Sequence, residues 1–323
     1  MKAVTLGFRR FFMLKGSINK LVIAGIAGTI TTSIAASQIT NTNLLIKPGV
    51  FSKLTAGQLK ASKNSRLYLS QDIARTISSD PLFPYRANPL YSLIGYEYFP
   101  TPQLSLGFVA VYTYQKEVYS RPVNAVRSEA VANVSGIAPY ISYLIKPQWL
   151  ITAQVGGNIE DYKGTSVNTV GAVNRLRNQV FTPYAGGYVT WISPEAKYAT
   201  TLRGGIYYVN QRFRSTIDSN AQFSPTRHFE TSAVAFSSRL KYKPDHSFWD
   251  AFLHVEAQCR VFSGTRPNVW HPDNRRQNLL YQIGPGAHFK LNDTWEIRVL
   301  ALHTVGFGYT KEERVGIRLR AAI

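Results

Sequence analysis

Cysteine is nearly missing from this chain: among 323 residues only Cys259 carries a thiol. A lone cysteine forms no internal disulfide, builds no metal cluster and, so far from the N-terminus, anchors no lipoprotein. Charge is sparse as well, at 17% of residues, where a soluble domain carries about 25%. Beyond residue 40 no apolar run approaches the ~18 residues of a transmembrane helix. Acidic residues are the scarcer sign, 18 against 37 basic, for a net charge of +19. Basicity of this size serves nucleic-acid binding, contact with anionic lipid, or a cationic cavity. The placement of the charges decides among the three.

What the chain has in quantity is aromatic residues, 19 Tyr and 17 Phe, and alternation. The last stretch shows it best. Val315, Ile317, Leu319, Ala321 and Ile323 are apolar, with Arg318 and Arg320 between them. A period of two is a strand with one apolar and one charged face. Five compact turn signals recur upstream: Pro100-Thr101-Pro102, Lys146-Pro147-Gln148, Ser193-Pro194-Glu195, Pro244-Asp245-His246 and Asn292-Asp293-Thr294, at intervals of 45 to 50 residues. Alternating runs flank each turn. Ile151, Ala153 and Val155 alternate with Thr152 and Gln154; Leu253, Val255 and Ala257 alternate with His254, Glu256 and Gln258. The runs measure about 10–14 residues, which suits a tilted membrane strand better than a soluble one of about 5–6.

The predicted fold is all-β: a transmembrane, antiparallel, up-and-down β-barrel with short periplasmic turns and long extracellular loops. Five hairpins give ten strands and the closing strand an eleventh. Ser65–Ser78, with Leu67, Leu69, Ile73 and Ile77 on one parity, supplies a twelfth. Ten is the alternative count, because that first segment alternates poorly. Trp149, Trp249 and Trp295 each follow a short turn, and Trp191 precedes one. All four share the apolar parity of their strands, so they should form a belt at one membrane interface.

The N-terminus reads as a secretory signal peptide over residues 1–37. Lys2, Arg9, Arg10, Lys15 and Lys20 form its basic region, Leu21–Ile30 its apolar region, and Ser33, Ala35, Ala36 and Ser37 its small-residue end. Residues 38–65 should be a periplasmic or lumen segment, with Phe51–Lys63 a short helix, and 66–323 the barrel. Residence in the outer membrane of a Gram-negative bacterium follows, with outer-membrane lipid and the barrel-assembly machinery as partners and a monomer as the expected state.

Parity also sorts the charges. Arg203, Arg239, Lys241, Arg260, Lys290, Arg298, Arg318 and Arg320 fall on the lumen face, with Glu256 and Glu296 as the opposing acids. A lining with excess positive charge attracts anions and repels cations, so an anion-preferring, porin-like pore is expected and nucleic-acid binding is not. No enzyme, metal or cofactor is expected. His303 precedes Thr304 and His288 precedes Phe289, unlike the His–Ser placement of outer-membrane phospholipases and deacylases. His246-Ser247 sits at the short-turn end, and His271 with Asp273 is a single loop pair. Gly284-Pro285-Gly286 and Gly306-Phe307-Gly308 lie in or beside strands, whereas a phosphate loop leads into a helix. Cys259 has lipid-facing parity and reads as an inert apolar side chain.

A secretion signal, twelve strands, short periplasmic turns and a closing C-terminal strand together resemble the autotransporter translocator domain over residues 66–323. The resemblance implies passage of a passenger, a lumen helix at Phe51–Lys63, and a last strand, Val315, Ile317, Leu319, Ala321 and Ile323, read by the insertion machinery. About thirty mature residues precede the barrel, so the likeness is to a translocator without cargo. A surface adhesin acting through the long loops Tyr119–Asn133 and Ser263–Asn278 is the third functional class.

Overall fold

The computed structural model describes residues 64–78, 85–119, 127–167, 171, 173–194, 197–219, 223–224, 226–245, 247–263, 279–306 and 310–323. The expected signal peptide, the expected helix Phe51–Lys63, the stretch 264–278 and His246, His271 and Asp273 lie outside the described residues. So do the side chains of a few strand residues, Arg260 among them.

Twelve strands form one antiparallel sheet. They are β1 (Ser65–Ser78), β2 (Tyr85–Ala87 continued by Leu90–Thr101), β3 (Leu104–Tyr119), β4 (Arg127–Lys146), β5 (Trp149–Val167) and β6 (Val173–Ile192). Then follow β7 (Tyr198–Phe213), β8 (Arg227–Tyr242), β9 (Trp249–Ser263), β10 (Leu279–Lys290), β11 (Trp295–Gly306) and β12 (Thr310–Ala322). The two pieces of β2 are one strand, because they keep one register with both neighbours: Ala87 opposes Thr76 and Glu117, Leu90 opposes Ile73 and Tyr114. The interruption falls at Asn88-Pro89, where proline has no N–H to donate.

The sheet closes on itself. β12 pairs with β1, placing Ala322 opposite Arg66 and Val315 opposite Ile73. At the seam Ser65 and Ile323 exchange both backbone hydrogen bonds, at 3.2 and 2.9 Å. Closure removes the bare sheet edges that hydrocarbon cannot satisfy. Following the pairings once around returns to β1 displaced by about 14 residues. With ~3.3 Å per residue and ~4.8 Å between strands, that offset tilts the strands by about 40° and sets a backbone radius of about 12 Å. Eight strands are filled by side chains and sixteen leave a water channel; twelve lie between.

Burial is inverted relative to a soluble protein. Ile73, Ile137, Val155, Ile206, Phe236, Val255, Val315 and Ile317 are exposed, while Glu97, Gln115, Glu117, Ser142, Thr152 and Gln258 are buried. A water-soluble sheet would not leave such a continuous apolar face bare. The pattern requires hydrocarbon outside and a polar lining within. The five turns expected from the sequence and the Ser65–Ile323 seam share one end of the barrel, and the other six connections share the opposite end.

The strands run from 12 to 20 residues, the longest being β4 and β6, longer than the runs read from the sequence. The expected loop Tyr119–Asn133 is correspondingly short: β3 reaches Tyr119, and β4 begins at Arg127. The reason is physical. Beyond the apolar band, outward positions no longer need apolar residues, and pairs such as Lys116–Glu129 (3.4 Å) continue the ladder with charges.

Inside, rings pack over glycines. Tyr140, Tyr184 and Tyr188 lie against Gly107, Gly156 and Gly205, each directly across on the next strand. The same device explains the Gly-Pro-Gly of β10. Phe252 faces Gly286, which faces Leu300. A Cβ at Gly286 would collide with the Phe252 ring, so the glycine lets that ring cross β10 and pack on Leu300 and Leu302 of β11. Gly286→Val should therefore cost about 1–3 kcal/mol by overpacking. Denaturant unfolding in detergent micelles measures it, and Phe252→Leu in the same chain should recover part of the loss.

Candidate functional site in the lumen

The lining charges arise from alternation within β7–β12, as follows. Arg203, Arg239, Lys241, Glu256, Glu296, Arg298, Arg318 and Arg320 stand on the inward parity of their strands, buried or half-buried. Lys290 sits at the rim instead. It is exposed and pairs at 2.7 Å with Asp293 in the last turn. The hydrogen bond and charge of that ammonium hold the Asp293 carboxyl below its usual range. Arg260 is placed by its backbone alone, across from Ala233.

The aromatic belt is at the turn end. Trp149, Trp249 and Trp295 open β5, β9 and β11, and Trp191 near the end of β6 lies opposite Trp149. On β12, Val315, Ile317 and Ile323 are exposed and Leu319 half-buried. Ala321 is buried between Trp295 and Leu67 on the flanking strands. Cys259 and His303 face outward, and His303 lies opposite Ile283 and Glu313 with no serine beside it.

The sequence reading missed half of the lining. Arg66, Asp72, Glu97, Glu117, Glu160, Asp250, Glu312 and Arg314 are also buried on the inward face. Parity alone could have found Glu312 and Arg314, which continue the row of Arg318 and Arg320. With these included, inward cations and carboxylates nearly balance among the described residues. Their positions do not. β2–β6 contribute Glu97, Glu117 and Glu160 and no described cation, whereas β7–β12 and β1 carry all the inward arginines and lysines. The lumen has an acidic wall and a basic wall.

The carboxylates are held in the walls. Glu97 accepts hydrogen bonds from Tyr68 and from Ser105 (2.7 Å). Glu117 accepts from Gln115 (2.5 Å) and Tyr119 (2.6 Å). Glu312 accepts from Thr76 (3.2 Å), Tyr91 (3.0 Å) and Arg314. Near the turn end a continuous chain of charges crosses five strands. Lys241 bonds Asp250 (2.9 Å), Asp250 bonds His288 (2.8 Å), His288 bonds Glu296 (2.9 Å), and Glu296 bonds Arg320.

Three arginines are held differently. Arg203 lies 3.7 Å from the Tyr188 ring centroid, and Arg239 and Arg298 lie 4.6 and 5.7 Å from that of Phe252. None of the three has a carboxylate at ion-pair distance among the described residues. A guanidinium stacked on a ring keeps its full charge and its donors.

A closed, polar-lined barrel with an apolar exterior and an aromatic belt is an outer-membrane β-barrel in fold. No protein-family model matches the chain, and no curated protein matches it. Solved structures do. The translocator domain of the autotransporter NalP from Neisseria meningitidis superposes with a TM-score of 0.73 at 10% identity, covering 92% of this chain and all of that one. The β-domain of the Bordetella autotransporter BrkA gives 0.62 at 9% identity, over 80% of this chain and all of that one. The transport unit of AIDA-I from Escherichia coli gives 0.57 at 11% identity, over 94% and 100%. The barrel therefore resembles autotransporter translocator domains in its fold.

Proposed function

We propose that this protein is an outer-membrane conduit for small solutes with a preference for anions. One observation carries the preference. Glu97, Glu117, Asp250, Glu256, Glu296 and Glu312 are engaged by hydroxyl groups, amides or cations, while Arg203, Arg239 and Arg298 are held on aromatic rings with no carboxylate partner among the described residues. The preference thus follows from how the charges are held rather than from their sum. The local excess of positive charge along the β7–β12 wall, in a narrow, low-dielectric passage, concentrates anions there and repels cations.

The test is the reversal potential of the refolded protein in a planar bilayer under a potassium chloride gradient. The sign should report chloride as the more permeant ion. Arg203→Gln, on β7, should move the potential toward the potassium value without abolishing conductance. Cation preference in the unchanged protein would overturn the reading.

A second reading is passage of an extended polypeptide. It is favoured by the match along the whole NalP domain, whose described role is translocation. Protection of an appended N-terminal peptide from protease added outside the cell would count against it, and exposure of that peptide would support it.

A further inference from the structure

Arg239 on β8 and Arg298 on β11 reach the same ring, Phe252 of β9, at 4.6 and 5.7 Å from its centroid. The two like charges are therefore no more than about 10 Å apart, roughly one Debye length in dilute salt. Arg318 on β12 adds a third charge of the same sign that acts on both. Glu296 attracts Arg298 and Asp250 attracts both, but Glu296 is already engaged by His288 and Arg320, and Asp250 by Lys241 and His288. Arg239 is only 5% exposed, yet its Nε and one NH group meet no hydrogen-bond acceptor. The Nε of Arg298 is likewise unmet. On the Arg298 side, though not lined by Arg239, lies a cavity of about 30 Å³ bounded by Arg298, Arg318 and Arg320 together with Tyr68, His288 and Glu296.

Buried guanidinium donors without acceptors are unfavourable, and gathering like charges around them compounds the cost. An anion relieves both at once. Arginine forks are suited to oxygens held in fixed geometry. Two forks arriving from different strands call for oxygens in more than one plane, which a tetrahedral oxyanion has and a planar carboxylate lacks. We propose that Arg239 and Arg298, braced on Phe252, form a binding site for a tetrahedral oxyanion such as a phosphate group. The site rests on the conduit reading for access, since a solute reaches this wall through the lumen. Gly286 belongs to it indirectly, because it lets Phe252 extend far enough to serve both arginines.

The experiment is a titration of inorganic phosphate against the full chain refolded in a phosphorus-free maltoside detergent, read by phosphorus-31 line width. Broadening should saturate and be reversed by sulfate. Arg239→Gln with Arg298→Gln should weaken binding at least tenfold. The exterior pair Lys163→Gln with Arg175→Gln, which removes the same net charge, should leave it unchanged. Arg298→Lys keeps the charge but not the fork and should weaken binding several-fold. Should the lumen double variant fail to fold, the unchanged protein still decides, because absence of saturable broadening there overturns the site. Equal broadening in the lumen double variant also overturns it, and acetate competing as well as sulfate overturns the tetrahedral assignment. Bilayer conductance separates the two ideas: conductance without phosphate binding sinks the site and leaves the conduit, and binding without conductance does the reverse.

Discussion

Replacing Glu312 by leucine should destabilise the folded barrel by about 3–5 kcal/mol, the largest loss expected from any single lumen change. Glu312 and Arg314 are both buried, 4% and 8% exposed, and bonded to each other on β12. Thr76 of β1 and Tyr91 of β2 donate to the same carboxylate, and Arg314 lies 4.7 Å from the Tyr91 ring centroid. One residue therefore ties three strands together beside the seam. Removing it strands a guanidinium away from water and leaves two hydroxyls without their acceptor. The double variant Glu312→Leu with Arg314→Leu removes the charge as well as its partner. It should recover most of the loss, since a packed apolar pair often equals a buried ion pair in stability. Urea unfolding in micelles, followed by the mobility difference between folded and unfolded barrel, measures both. If the single variant proves as mild as the double, the pair does not support the seam.

The second large effect lies on the other face. Val255→Arg should cost about 2–4 kcal/mol, because Val255 stands near the middle of β9 on the lipid side, where a guanidinium must enter hydrocarbon. Four residues along the same strand and face, Cys259→Arg should cost only about 0–1 kcal/mol, because its longer reach meets headgroups. Every 1.4 kcal/mol is about tenfold in the folding equilibrium, so the two variants should separate clearly in vesicle refolding. Equal costs at the two positions would mean that β9 is not set across the membrane as its apolar face implies.

The exterior was legible in the sequence because hydrocarbon tolerates little else. Every second residue from Leu253 to Val261 or from Val315 to Ile323 is apolar or small, and the five turn signals fixed where the strands reverse. The weakest expected strand, Ser65–Ser78, is present for the same reason: β12 needs a partner. The lumen was less legible. Its residues meet water, rings and one another, so many types fit. Glu97 stands between Tyr96 and Tyr98 with Phe99 beyond, and aromatic residues on both faces hide the parity there. Glu117 lies past the apolar band, where Lys116 faces outward and alternation of polarity fades. Counting only the clean strands therefore found the basic wall and missed the acidic one. The role of Phe252 was invisible for a different reason. It depends on Gly286, a residue that acts by having no side chain.

The seam between β1 and β12 has a kinetic consequence. These are the strands most distant in sequence, yet 13 residue pairs join them. Until that pairing forms, the other eleven junctions make an open ribbon with two bare edges, each a row of amides that lipid cannot solvate. Adding strands one at a time does not bring such a ribbon gradually nearer to stability. Contacts of this sequence separation make folding slow and leave the unfinished chain prone to pair with other chains. Insertion and closure should therefore be a single all-or-none event. A chain deprived of one terminal strand would not be a slightly weaker barrel, but one caught at the last step.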